Sequence, residues 1–309
     1  MKIKKTWVFI FILIGISLLA CSNKKMEDSN ANKNHLKVYI SIYPLYDFTN
    51  KLIEDADNID VKLLVPNGIE PHGWEPGTEE MNKLEEADVF IYNGAGLESW
   101  VEKMMDSLDN QDLKKVEASK GIQLLEGKKI SCPIHGYHKG TDPHVWLSPK
   151  NAKIEVENIK NALCELDPNQ TKVYEKNYEH LAKELDSLDQ EFESSLKNRK
   201  HNTIIVSHEA FGYLCHDYGL KQIGIEGIHS EHEPDPKSMK KIVDYVKDNN
   251  ITTIFSETLI DPKVSETIAK ETGAKTDVLN PIEGLLKDGE GDYFSIMREN
   301  LEALKRALL

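Results

Sequence analysis

Cysteine and positive charge are both scarce in this 309-residue chain, and each shortage excludes a class of protein. There are four cysteines: Cys21 lies near the N-terminus, and the other three are Cys132, Cys164 and Cys215. Because an odd number remains beyond the N-terminal region, a complete disulfide framework is excluded. Lysine and arginine total 38 against 52 aspartates and glutamates, which gives a formal net charge of −14. A chain this acidic is not expected to bind nucleic acid or to attach to a membrane electrostatically.

Long apolar runs are also lacking, apart from one at the N-terminus. The basic start Met1–Lys5 is followed by an almost uninterrupted apolar run and then by Leu18-Leu19-Ala20-Cys21. This run is short for a permanent transmembrane helix, and its order of basic, apolar and small residues is that of an export signal. Leu-Leu-Ala-Cys resembles the lipobox of bacterial lipoproteins, which implies a signal peptide over residues 1–20 and a lipid on Cys21. Residues 21–35 contain few apolar side chains, so we expect a lipidated, flexible tether outside the cytoplasm.

The rest of the chain repeats one pattern twice, with a long helix between the two copies. In residues 36–167 and again in residues 199–309, short β-rich segments alternate with amphipathic helical segments. This alternation predicts an α/β fold with two (βα)4-like lobes, each built on a mainly parallel sheet. Residues 168–198 carry apolar side chains at three- and four-residue steps: Val173, Leu181, Leu185, Leu188, Phe192 and Leu196. We expect one rigid helix here, about 45 Å long, that joins the lobes.

Three histidines lie just beyond predicted strands. His72 is in Glu-Pro-His-Gly-Trp, His144 is in Asp-Pro-His-Val-Trp-Leu, and His208 directly follows the first strand of the second lobe. Ligands of open α/β sheets collect at the carboxyl ends of the strands, and two facing lobes would bring those ends to a shared cleft. Imidazole is a ligand for zinc, copper, iron and nickel, whereas calcium and magnesium prefer oxygen. The pattern therefore predicts a transition-metal site in the cleft between the lobes.

A closed tetrahedral zinc site needs a fourth ligand. The candidate is Glu283, in a loop that follows the last predicted strand of the same lobe as His208. Glu257, Asp261 and Asp277 are weaker competitors for this position. Two neighbouring carboxylates are candidates for orienting an imidazole: Glu209 for His208, and Asp142 for His144.

These segments resemble the metal-binding lipoproteins of zinc and manganese ABC importers, and the zinc-specific branch is the more similar. The resemblance covers residues 36–309, and Asp-Pro-His-x-Trp-Leu is its most specific motif. It implies two α/β lobes joined by a rigid helix, with a zinc ion between them. His72 and His144 would bind the ion from the first lobe, and His208 and Glu283 from the second. It also implies a monomer that captures Zn2+, has no enzymatic activity, and delivers the ion to a membrane permease and its ATPase.

Three other interpretations of the same residues remain open. A manganese-binding member of that family would typically have a glutamate in place of His208 and an aspartate in place of Glu283. A zinc-dependent hydrolase would have an open site of three histidines, with Glu283 or Glu209 as the base, although the sequence has no His-Glu-x-x-His motif. An anchored adhesin with a structural metal is the third.

A short loop before the second candidate ligand contains two more histidines, His135 and His138. They could collect zinc weakly and pass it inward, or they could be ordinary loop residues. The segment from His229 to Glu233 raises the same question, and we favour an ordinary loop there because it leads into a helix cap.

Overall fold

A computed structural model describes residues 35–125, 131–132, 136–137, 140–228, 234–286 and 291–309. The predicted signal peptide, the lipidation site Cys21, the loop residues His135 and His138, and the segment from His229 to Glu233 lie outside the described residues. Residues Leu36–Leu309 form one compact unit. In the part of the chain that is described, no helix combines the length and apolarity needed to cross a membrane.

The first lobe is a four-stranded parallel sheet with strand order β2-β1-β3-β4. Its strands are β1 (Leu36–Ile40), β2 (Ile59–Leu63), β3 (Val89–Tyr92) and β4 (Lys114–Glu117). The helices between them are α1 (Tyr43–Leu52), α2 (Thr78–Glu85) and α3 (Val101–Ser107). The central strands β1 and β3 are buried on both faces, which explains their nearly continuous apolar sequences.

Two helices connect this sheet to the second lobe. A two-stranded antiparallel pair, β5 (Ser131–Cys132) and β6 (Gly136–Tyr137), and a 3-10 turn (Val145–Leu147) precede α4 (Pro149–Leu166). The long helix is α5 (Thr171–Leu196), with 26 residues and a length of about 39 Å. We predicted that the helix covers residues 168–198. It begins later than that, because Pro168–Gln170 forms a separate 3-10 turn. The pattern placed Val173 on the apolar face of this helix. In the structure Val173 is only partly buried, and the adjacent Tyr174 is fully buried instead.

The helix α5 contacts both lobes, as the prediction of a connecting helix requires. Toward the first lobe, Asn177 donates from Nδ2 to the carbonyl of Leu52, 2.9 Å away, at the end of α1. Toward the second lobe, Asp189 accepts from the hydroxyl of Tyr218 at 2.9 Å. The apolar face of α5 is buried along the helix, from Tyr174 to Leu196.

The second lobe repeats the architecture of the first, with strand order β10-β9-β7-β8 and parallel pairing throughout. Its strands are β7 (Thr203–Val206), β8 (Lys221–Gly224), β9 (Thr253–Ser256) and β10 (Lys275–Val278). Its helices are α6 (Gly212–Tyr218), α7 (Pro236–Asp248), α8 (Lys263–Thr272) and α9 (Tyr293–Leu308). The predicted α/β class with two parallel-sheet lobes and a long helix is confirmed; the domain boundaries 36–167, 168–198 and 199–309 stay predictions.

Candidate metal centre

His72 lies in the loop between β2 and α2. Its backbone N–H donates to Oε1 of Glu70 at 2.9 Å, and Pro71 between them restricts the backbone. The side chain of His72 is only 1% exposed, although its backbone is partly accessible. This loop therefore turns an imidazole inward from the surface of the first lobe.

His144 lies at the start of the 3-10 turn that leads into α4, and Asp142 holds it at two points. Oδ1 of Asp142 accepts from the backbone N–H of His144 at 3.0 Å and from its Nδ1 at 2.8 Å. Because a carboxylate can only accept, Nδ1 carries a hydrogen, and Nε2 faces away from Asp142 toward Glu283. The predicted orienting role of Asp142 agrees with this contact.

His208 follows β7, and Glu257 holds it in the same manner. The backbone N–H of His208 donates to Glu257 Oε1 at 3.0 Å, and its Nδ1 lies 2.9 Å from both carboxylate oxygens. The prediction that Glu209 orients His208 is wrong. The side chain of Glu209 instead lies against Gly224, where a Cβ on that glycine would overlap it.

The position of Glu257 follows from the register of the second sheet. Ile205 of β7 pairs with Ile254 of β9, so the residues three positions further along, His208 and Glu257, are level with each other. Glu257 was predicted as a weaker candidate for the fourth metal ligand. Its carboxylate is engaged with Nδ1 of His208, on the side of the ring that faces away from the other histidines.

Glu283 lies in a loop between β10 and α9 that is held at several points. Asn300 of α9 accepts from the N–H of Asn280 at 2.8 Å and donates to its carbonyl at 2.7 Å. The indole Nε1 of Trp146 donates to the carbonyl of Pro281 at 2.7 Å. Ile282 has φ +59, a left-handed conformation that is strained for a β-branched residue. These bonds hold the strained turn, and the next side chain, Glu283, points into the cluster of histidines.

The structure brings the four predicted site residues together. The separations are 3.0 Å from His72 Nε2 to His144 Nε2 and 3.2 Å from His208 Nε2 to His144 Nε2. Oε1 of Glu283 lies 3.1, 3.0 and 3.3 Å from Nε2 of His72, His144 and His208 respectively. A tetrahedral zinc with ligand distances of about 2.0–2.1 Å places its ligand atoms about 3.3 Å apart. These five separations are close to the edges of a zinc-sized tetrahedron.

The charges around these atoms favour a cation at the centre. Burial opposes ionisation of Glu283, but the charge of His208 and hydrogen bonds from the histidines hold the pKa of Glu283 well below its ordinary value. Burial likewise opposes protonation of His208, yet Glu257 and Glu283 raise its pKa well above the ordinary value. Burial also opposes protonation of His144, and Asp142 and Glu283 raise its pKa. The pocket thus keeps a carboxylate ionised and stabilises positive charge beside it.

The remaining acids that had been considered do not take part. Asp261 is exposed and pairs with Lys263, and Asp277 pairs with Arg306 at 2.9 and 3.0 Å. Among the described residues, His72, His144, His208 and Glu283 are the one group of histidine, cysteine and acidic side chains arranged to hold a metal ion.

Substituting Glu257 by glutamine should weaken zinc binding by about 10- to 100-fold, because an outer partner that orients a metal-binding histidine has that effect. Glutamine keeps the size of the side chain but removes the charge that faces Nδ1 of His208. A competition titration with a chromogenic chelator would measure the change. Glu266→Gln, an exposed position in α8, is the matched control and should leave affinity unaltered. Equal affinities for both variants would contradict the orienting role.

Comparison with known proteins places this geometry in a family. The model of the family described as zinc-uptake complex component A, periplasmic (ZnuA), matches residues 38–307. The high-affinity zinc uptake system protein ZnuA of Bacillus subtilis is 38% identical over 316 residues, covering 99% of this chain and 98% of the relative. The zinc-binding lipoprotein AdcA of Streptococcus pneumoniae is 36% identical, and the match covers 98% of this chain but only 61% of that longer protein.

Solved structures agree with these relatives. The Zn(II)-bound ZnuA-like domain of S. pneumoniae AdcA has a TM-score of 0.75 and 37% identity, with 89% of this chain and 99% of that domain covered. The laminin-binding protein Lmb of Streptococcus agalactiae, described as bifunctional with adhesin and metal transporting activity, has a TM-score of 0.79 and 34% identity. That match covers 89% of this chain and 99% of Lmb. The chain belongs to the family of periplasmic A components of zinc-uptake complexes.

Proposed function

We propose that this protein is the extracytoplasmic zinc-binding component of an ABC importer, which captures Zn2+ and delivers it to the membrane permease. The observation that carries the proposal is the close grouping of the Nε2 atoms of His72, His144 and His208 with Oε1 of Glu283. These four side chains would be the ligands of the transported ion. The family membership and the zinc-uptake names of the relatives support the same function.

Zinc suits this set of donors better than manganese does. Three imidazoles and one carboxylate oxygen form a four-coordinate site, as zinc prefers. Manganese is better matched by sites rich in carboxylate, carbonyl and water oxygens. In this chain, His208 occupies the position where a glutamate would indicate manganese. The contacts of His208 with Glu257 and Glu283 also fix it as a nitrogen donor.

Binding and release explain the site better than hydrolysis does. In a zinc hydrolase, one metal position stays open for water and substrate. Here, Oε1 of Glu283 lies within 3.3 Å of Nε2 of all three histidines, at the corner that such a water would need. Glu283 therefore acts as a ligand rather than as a base, and the protein is a binding component rather than an enzyme.

Capture and release both require movement of loops, because the ligand side chains are at most 1% exposed. The loop that leads to His72 is tied to the loop that follows Glu283 by a backbone hydrogen bond, from the N–H of Gly68 to the carbonyl of Leu285 at 2.7 Å. Opening of this bond would give the ion a way out toward a permease and its ATPase. In this proposal a lipid on Cys21 keeps the monomeric protein at the membrane surface.

Zinc and manganese titration of the purified protein, with Glu283→Gln alongside, tests the proposal. We expect one zinc per chain, displacement of manganese by zinc, and at least about tenfold weaker zinc binding in Glu283→Gln, since an amide oxygen is a poorer zinc ligand than a carboxylate. Preferential manganese binding would contradict the choice of cargo. Unchanged zinc affinity in Glu283→Gln would point to water in the fourth position and would restore the hydrolase interpretation.

A further inference from the structure

The helix α6, which follows His208, packs against the segment that carries His144. α6 begins at Gly212, and a Cβ on this glycine would overlap Oδ2 of Asp142. Glycine fits here because a Cβ would occupy the place of the Asp142 carboxylate. The start of α6, in the second lobe, therefore packs closely against Asp142, in the first lobe.

The next residue of α6 makes a bridge of hydrogen bonds at the same place. The hydroxyl of Tyr213 donates to the carbonyl of Asp142 at 2.8 Å and accepts from the N–H of Leu125 at 3.0 Å. Asp142 and Leu125 are also joined directly, from N–H to carbonyl, at 3.0 Å. The side chain of Tyr213 is buried, so water does not replace these bonds easily.

Asp142 connects these hydrogen bonds of Tyr213 to the metal site. Asp142 accepts from Tyr213 with its backbone carbonyl and holds the ring of His144 with its carboxylate. His208, a second ligand, lies only five residues before Tyr213 in the same segment. The stretch from His208 to Tyr213 therefore supplies one ligand and, through Asp142, fixes the place of another that comes from the opposite lobe.

We propose that Tyr213 is a positioning residue of the zinc site, which holds the imidazoles of His144 and His208 at the spacing that the ion requires. The inference rests on the proposed function, because it assigns a role in zinc retention. Loss of the hydroxyl leaves the carbonyl of Asp142 and the N–H of Leu125 without their buried partner. The segment of His144 then shifts, and the zinc ion leaves faster.

Tyr213→Phe tests this role, and Tyr43→Phe is its matched control. The hydroxyl of Tyr43 also forms a bond between the lobes, to the carbonyl of Gly291 at 2.7 Å, but it touches none of the four ligands or their carboxylate partners. Tyr213→Phe should raise both the zinc dissociation constant and the release rate by about tenfold, the lower end of the effect of an outer-shell partner. The visible spectrum of the Co2+-substituted protein should also change, since it reports the geometry of the ligands. Tyr43→Phe should alter each quantity less than twofold.

A second pair of variants shows whether Tyr213 acts through Asp142. In an Asp142→Ala background, the addition of Tyr213→Phe should weaken zinc binding by less than it does alone, because the carboxylate that holds the ring of His144 is already absent. Unchanged affinity and cobalt spectrum in Tyr213→Phe, equal effects of Tyr43→Phe, or full additivity with Asp142→Ala would each overturn the inference. Failure of the proposed function would instead appear in the wild type, as absence of zinc binding.

Discussion

Replacing His208 by alanine should weaken zinc binding by more than about a hundredfold. Partners that only orient a metal-binding histidine contribute about 10- to 100-fold, and loss of the ligand itself removes that contribution together with the metal–nitrogen bond. The change would also leave the carboxylate of Glu257 buried without the imidazole that pairs with it. Competition titration against a chelator of known affinity would measure the loss.

His216→Ala is the matched control for this prediction. His216 lies on α6, its side chain is 69% exposed, and its ion pair is with the adjacent Asp217 rather than with any ligand. We expect zinc affinity within twofold of the wild type. A small effect of His208→Ala, comparable to that of His216→Ala, would show that zinc is bound elsewhere.

Replacing Trp146 by alanine should lower the free energy of unfolding of the metal-free protein by about 3–5 kcal/mol, the usual result of truncating a fully buried tryptophan. Trp146 is 0% exposed, and it joins the segment of His144 to the loop of Glu283 through Nε1 and the carbonyl of Pro281. Its own carbonyl accepts from the hydroxyl of Tyr293 at 2.7 Å. Denaturant unfolding monitored by circular dichroism would give the difference.

Trp74 provides the comparison, because it follows His72 at the same spacing as Trp146 follows His144. Trp74 is only partly buried and packs edge-on against Trp100, with ring centroids 5.4 Å apart. Trp74→Ala should therefore cost clearly less stability than Trp146→Ala. Equal losses would contradict the role of Trp146 as the buried connection between the two ligand segments.

The sequence allowed prediction of those parts of the site that depend on local pattern. The strand exits could be located from alternation, and these indicated the positions of His72 and His208. His144 does not lie at the exit of a sheet strand, because it follows the short β5–β6 pair and begins a 3-10 turn. Asp142 could also be found from local sequence, because it lies two residues before His144 with Pro143 between them. The two-lobed α/β class followed from the alternation of strands and helices on each side of one long amphipathic helix.

Other contacts depend on register and on backbone conformations that local preference does not indicate. Glu257 is 49 residues from His208 in sequence, and only the pairing of β7 with β9 brings them level. Glu209, which directly follows His208 in sequence, was therefore the wrong choice for the carboxylate that orients His208. Ile282 adopts a conformation that its residue type disfavours, and the bonds from Asn300 and Trp146 that hold the turn come from distant positions. The boundary of α5 was missed because Pro168 begins a separate 3-10 turn.

Under the proposed function, the contacts of α5 determine what a permease must do to remove the ion. This helix is bonded to α1 through Asn177 and to α6 through Asp189, so a wide separation of the lobes would break packing along its whole length. The loop of Glu283 contains the strained turn at Ile282, which favours departure from the bound conformation. A permease therefore needs to displace one loop rather than reshape the protein. The loaded and empty forms would then differ mainly in the surface of that loop, and this surface is where a transporter could distinguish them.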